Sequence, residues 1–230
     1  AYNIWSDIEK VRLQLLVSDE VVDFVDYGSG KRVLNSKVHD VKRVRVIAKR
    51  SLAKKKYAQM LFRLVNWLGH QLREGNGGLT IVELGTSFGV TTAYLAGVDK
   101  NDKVYTYEGC EAVAKIAKEN WKRLGLNNIE SRIGEIREEK LCSDIKSVDV
   151  AFIDANHTYE ATLKYFDVLA SKVHEKSVIV VDDIHYTEEM EKAWIEICGD
   201  DRVTSTIDLY QMGLVFFDQH YWKRNYKMRL

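Results

Sequence analysis

Residues 79–96 read LTIVELGTSFGVTTAYLA, and the fold turns on this stretch. An apolar run ending at Leu84 meets Gly85-Thr86-Ser87-Phe88-Gly89, and helix-compatible residues follow from Val90. A short apolar run closed by glycines and followed by a helical pattern reads as buried strand, turn and helix. The same succession recurs downstream. KVYTYEG (103–109) precedes a helical pattern over 112–124, NIESRIG (128–134) a weaker one over 135–145, VDVAFID (148–154) one over 158–172, and SVIVVDD (177–183) one over 188–197. Such alternation is the signature of a parallel sheet covered by helices. RVTSTIDLY (202–210) and GLVFFD (213–218) are separated by a turn too short for a helical crossover, which predicts an antiparallel pair. The expected fold is therefore α/β, a Rossmann-like, doubly wound sheet of seven strands, mostly parallel with an antiparallel last strand.

Upstream of residue 75 the pattern is less regular. VVDFVDYGSGKRVLNSKV (21–38) alternates, with Gly28 and Gly30 suggesting a hairpin turn, and Tyr57, Leu61, Leu64, Val65 and Leu68 recur at helical spacing. Gly-Asn-Gly-Gly at 75–78 breaks the chain. This predicts an N-terminal irregular and helical extension over 1–75 and a sheet domain over 76–230.

Composition narrows the function classes. The 230 residues are 46% hydrophobic and 30% charged, an ordinary globular balance that supports one sizeable core. No apolar run approaches the roughly 20 residues of a membrane span, and AYNIWSDIEK lacks a basic-then-apolar signal pattern. Cys110, Cys142 and Cys198 are odd in number and widely spaced, as expected of reduced thiols in a cytoplasmic protein with no zinc site. The 34 basic and 34 acidic residues cancel overall, but residues 1–75 carry 15 against 8 and residues 76–218 carry 15 against 26. The basic excess is confined chiefly to KRVRVIAKRSLAKKK (42–56), which argues against a nucleic-acid enzyme with an extended basic face. The stretch reads as a solvated helix face or as a contact in a homo-oligomer.

The chemistry-bearing residues lie at strand ends, where open α/β sheets bind ligands. Gly85 and Gly89 allow close backbone approach, and the helix that follows offers free N–H groups. The spacing is G-x-x-x-G and not the G-x-G-x-x-G of dinucleotide sites, which weighs against an NAD oxidoreductase. The second strand ends at Glu108-Gly109, where a carboxylate can accept from both hydroxyls of a ribose. The third ends near Glu135, within reach of a base amino group. The fourth ends at Asp154, with His157 three residues on, and the fifth at Asp182-Asp183, followed by His185. Three carboxylates at one sheet edge repel unless a proton or cation joins them, and a hard divalent cation such as Mg²⁺ suits oxygen ligands.

With these residues assembled, the chain resembles the class I S-adenosylmethionine (SAM)-dependent methyltransferases over residues 79–218. VELGTSFGVTTAYLA (82–96) looks like their cofactor loop, with Ser87 where many members carry a glycine, and Glu108 looks like their ribose-binding acid. The resemblance implies cofactor contacts from Glu83, Gly85, Thr86, Ser87, Gly89, Glu108, Gly109, Glu135 and Asp154. FIDANHTYEATLKYFDVL (152–169) and VIVVDDIH (178–185) look like the metal-dependent O-methyltransferases, above all the macrocin and sugar-modifying branch and more distantly the catechol type. That implies Mg²⁺ ligands at Asp154, Asp182 and Asp183, proton transfer by Asp154 or His157 with His185 in reserve, and a small hydroxyl-bearing acceptor. The alternatives are a metal-independent SAM methyltransferase with a histidine base and a non-enzymatic nucleotide-binding protein.

Overall fold

The computed structural model describes residues 4–25, 39–73, 77–137, 140–220 and 222–229. Their elements run α1 (Ile4–Val17), β1 (Val21–Val25), β2 (His39–Arg43), α2 (Val44–Ser51), α3 (Lys55–Leu72), β3 (Thr80–Leu84), α4 (Val90–Ala96), β4 (Lys103–Glu108), α5 (Glu111–Arg123), β5 (Ile129–Ile133), β6 (Val148–Ile153), α6 (Tyr159–Ala170), β7 (Val173–Asp182), α7 (Glu188–Gly199), β8 (Ser205–Asp208), β9 (Met212–Phe216) and β10 (Arg224–Lys227). Eight strands form one sheet in the order β10-β8-β9-β7-β6-β3-β4-β5. Pairing is parallel for β3 with β6, β4 with β5 and β6 with β7. β9 runs antiparallel to both β7 and β8.

The Rossmann-like α/β fold and the antiparallel strand read from the sequence are both present, with two corrections. The sheet has eight strands, because β10 adds to β8 in parallel; the four exposed residues RNYK carry no apolar alternation that would announce a strand. The weak helical pattern over 135–145 yields no α-helix among its described residues, only a short turn after residue 139. The predicted hairpin turn at Gly28 and Gly30 lies outside the described residues, while β1 and β2 do pair antiparallel from Val21↔Arg43 to Val25↔His39.

The described chain falls into two compact units. One takes in α1–α3, β1–β2 and Gly85–Glu135; the other takes in Thr80–Leu84 and the chain from Ile136 onward. In the first, Tyr57, Leu61, Val65 and Leu68 of the predicted helical stripe are buried, and Leu64, at its edge, is half-buried. Its core joins Ile8, Val11 and Leu15 of α1, Phe62 of α3, Tyr94 of α4 and Trp121 of α5. Trp5 packs edge-on against Phe62 and Tyr94. In the second, the apolar runs of β6 and β7 are buried, and Met190, Trp194 and Ile197 of α7 form the core stripe their i, i+4, i+7 spacing predicts. Gly213 is required there, because a Cβ would lie 2.3 Å from the Trp194 ring.

Candidate functional site

The first unit builds a glycine loop whose own backbone is satisfied. Gly85 and Thr86 N–H both donate to the Tyr107 carbonyl, at 3.0 and 3.1 Å, which fastens the loop to β4. Gly85, Ser87 and Gly89 have φ of 96°, 47° and 75°. Gly89 is the position where glycine is obligatory, since a Cβ would fall 2.3 Å from the Trp121 indole nitrogen and φ is left-handed. Trp121 and Asn120 of α5 hold the loop from the other side, donating to the carbonyls of Gly89 (2.8 Å) and Phe88 (3.0 Å). The hydroxyls of Thr86 and Thr106 lie 2.6 Å apart.

Glu108 closes this half. Its Oε2 accepts from the Ser87 N–H at 2.8 Å and its Oε1 from the Cys110 N–H at 2.9 Å. The carboxylate is thus fixed against the loop by two backbone N–H groups, one on each oxygen. The Gly134 N–H donates to the Glu108 carbonyl, which sets Glu135 one residue further along, exposed. α2 reaches this loop too, through Ser51 Oγ at 2.7 Å from Ser87 Oγ.

The second unit builds a cluster of opposite character. The Asp154 N–H donates to the Leu84 carbonyl, tying the end of β6 to the end of β3, where Glu83 is fully buried. Asp182 ends β7 at 4% exposure, and its Oδ1 is buried with no hydrogen-bond partner. His157 Nε2 sits 3.4 Å from Asp154 Oδ1 and 3.7 Å from Asp183 Oδ2. Asn156 and Asp183 take positive φ, 44° and 53°, a conformation these two residue types tolerate best among non-glycines.

The electrostatics follow from this crowding. Burial raises the Asp154 carboxyl above its ordinary range, opposed by the His157 contact. Asp182 is pushed up further, by burial and then by the charges of Asp154 and Asp183. Burial works against a charged His157, but Asp154 and Asp183 outweigh it and hold the imidazolium above its usual pKa. His185 stands apart, with Nε2 2.9 Å from Asp208 Oδ2 and Nδ1 3.5 Å from Glu191. Among the described residues, the set whose ligand atoms already converge within 4.8 Å is a different one, Glu175, Asp218 and His220, half-buried or exposed.

Residues 82–184 match a family model described as a methyltransferase domain. The fold is that of the class I methyltransferases. Cofactor-bound Rv0187 from MTB aligns at TM-score 0.64 and 18% identity, over 74% of this chain and 83% of that one. An O-methyltransferase from Bacillus cereus, solved with SAH, aligns at TM-score 0.60 and 22% identity over 73% and 83%. A protein-L-isoaspartate O-methyltransferase from Magnetococcus marinus is 36% identical over 58 residues. This chain spans about a quarter of the length of that curated relative, 25% of each.

On the class I methyltransferase fold, Gly85, Thr86, Ser87, Gly89, Glu108, Gly109 and Glu135 lie in the first unit, and Glu83, Asp154, His157, Asp182, Asp183 and His185 in the second. Within the first, the loop and Glu108 are directly bonded. Within the second, Asp154, His157 and Asp183 meet, whereas His185 is bonded to Asp208. Sequence reading missed Asp208, Asn120, Trp121 and Ser51. An Asp ending a short strand and an Asn-Trp pair inside an amphipathic helix carry no local signal of what they hold. Among the described residues, no helix is long and apolar enough to cross a membrane. The three cysteines are free.

Proposed function

We propose that this chain transfers the methyl group of SAM to a hydroxyl oxygen of a small molecule with the help of a divalent cation. The observation that carries the cofactor half is Glu108, whose two oxygens are held by the N–H groups of Ser87 and Cys110 beside a glycine loop of methyltransferase type. A carboxylate so fixed accepts ribose hydroxyls without reorganising. Gly85, Thr86, Ser87, Gly89 and Gly109 shape the surface against which the cofactor packs, Glu83 serves its methionine end and Glu135 its adenine.

The carboxylate cluster fits a hard cation chemically. Asp154, Asp182 and Asp183 supply oxygen donors, Asp182 Oδ1 is buried without a partner, and their mutual repulsion is what a cation relieves. Mg²⁺ held by these three would lower the acceptor hydroxyl's pKa. The chain's own residues then take the hydroxyl proton, a role we assign to His157, whose Nε2 lies 3.4 Å from Asp154, with Asp154 as the alternative. A metal-independent route with His157 as base is the second reading, favoured by its carboxylate contacts at 3.4 and 3.7 Å.

The test is transfer of labelled methyl from SAM to a panel of hydroxyl-bearing small molecules, with Mg²⁺ or with EDTA. Transfer that EDTA suppresses and Asp154→Asn abolishes is the expected result. Transfer untouched by EDTA selects the histidine route, and transfer only to nitrogen or carbon acceptors refutes the hydroxyl assignment.

A further inference from the structure

The basic stretch 42–56 has no role in the chemistry above, and its eight cations separate into two groups. The first three have acidic partners: Lys42 lies 3.6 Å from Asp40, and Arg43 and Arg45 share Asp19 at 3.0 and 2.9 Å. Four others do not. Lys49, Arg50, Lys54 and Lys55 are exposed, and among the described residues none has a carboxylate or hydrogen-bond partner. Lys56 lies over the Tyr57 ring.

Local structure gathers these cations instead of dispersing them. α2 ends at Ser51 and α3 begins at Lys55, so a three-residue connection draws the last turn of one helix to the first turn of the next. Cations suit the last turn of α2, but Lys54, Lys55 and Lys56 occupy the start of α3, where the helix dipole disfavours positive charge, with no acid in that turn and no side-chain cap. A buried arginine holds the connection in place. Arg12, 8% exposed, is paired through Nε with Glu9 at 2.9 Å and donates Nη1 to the Ala53 carbonyl at 2.7 Å, while its Nη2 is buried without a hydrogen-bond partner. The charge at this connection thus comes from Lys49, Arg50, Lys54 and Lys55, while the Arg12–Ala53 bond anchors its backbone. Ser51 sets its position: its hydroxyl donates to the Ile47 carbonyl and sits 2.7 Å from Ser87 of the glycine loop, in the same unit.

We propose that the connection between α2 and α3, with Lys49, Arg50, Lys54 and Lys55 around it, binds the phosphate of a phosphate-bearing small-molecule acceptor beside the cofactor loop. The word acceptor rests on the methyltransferase reading; phosphate binding does not. A small anion is favoured over a nucleic acid, because residues 76–218 carry 15 basic against 26 acidic side chains and would repel a long polyanion.

The experiment is calorimetric titration of the full chain with sodium pyrophosphate at constant ionic strength, on the wild type, K54E/K55E and K49E/R50E, with S-adenosylhomocysteine and a short single-stranded RNA as parallel titrants. Saturable pyrophosphate binding, weakened about 10-fold or more in both variants while S-adenosylhomocysteine binding is unchanged, is expected. Absence of saturable pyrophosphate binding, equal binding by the variants, or sulfate competing at equal affinity would overturn the proposal. RNA binding that pyrophosphate does not displace would overturn it in favour of a polymer. Pyrophosphate binding without S-adenosylhomocysteine binding would leave the phosphate site standing and remove the methyltransferase reading.

Discussion

The glycine loop of the first unit and the carboxylate cluster of the second are opposite solutions to building a site. In the loop, the Phe88 and Gly89 carbonyls are taken by α5, the Gly85 and Thr86 N–H groups by Tyr107, and the Ser87 N–H by Glu108. In the cluster, Asp182 Oδ1 has no partner, and Asp154 and Asp182 both hold their protons more tightly than ordinary carboxyls. One region is finished by the fold, and the other is completed only by a proton or a cation. Rigid geometry suits recognition of an invariant cofactor, whereas unrelieved charge suits chemistry on a variable acceptor.

The contrast breaks first at Asp154. Asp154→Asn should lower methyl transfer by about 10²-fold or more while circular dichroism stays unchanged, because the side chain is needed for chemistry and not for packing. Wild-type rates in this variant would remove the cluster from the mechanism. In the loop the same kind of test acts on stability. Gly89→Ala forces a Cβ to within 2.3 Å of Trp121 at a left-handed φ and should cost about 3 kcal/mol or more in denaturant unfolding. A loss below about 1 kcal/mol would mean that the loop is not pinned as described.

Titration sharpens the comparison within the second unit. The Asp182 carboxyl is raised, so the folded state holds a proton where the unfolded chain has released it, and the resulting penalty grows as pH rises above the ordinary carboxyl range. In metal-free protein, Asp182→Asn should therefore raise stability at neutral pH and bring no gain near pH 4. Asp208 runs the other way: burial raises its pKa, but the bond from His185 and the Tyr210 N–H outweigh it and leave the carboxyl below its usual value. Its contribution is present above the unfolded pKa and lost as pH falls through the folded one, so Asp208→Asn should destabilise modestly at neutral pH and converge with wild type in strong acid. Thermal melts across pH 3 to 8 read both slopes, and parallel slopes for the two variants would contradict the contrast.

How much of this was legible in the sequence depended on how local the signal was. The buried strands Thr80–Leu84, Val148–Ile153 and the second half of Val173–Asp182 announce themselves as apolar runs closed by Gly or Asp, and those closures are the candidate site residues. The start of the last of these at Val173 and the whole of Arg224–Lys227 lack such runs; they are strands because a neighbour offers hydrogen bonds. Glu108 was readable from its distance after the glycine turn. Asp208, Trp121 and Ser51 act on residues 23, 32 and 36 positions away, a relation that no periodicity encodes.

The central claim is that Glu108 and the glycine loop hold the methyl donor, and calorimetric titration with S-adenosylhomocysteine, on wild type and on Glu108→Ala, tests it most directly. Saturable micromolar binding by the wild type, weakened about 10-fold or more in a variant that keeps its far-ultraviolet spectrum, is the expected result. No binding by the wild type, or equal binding by the folded variant, would contradict it.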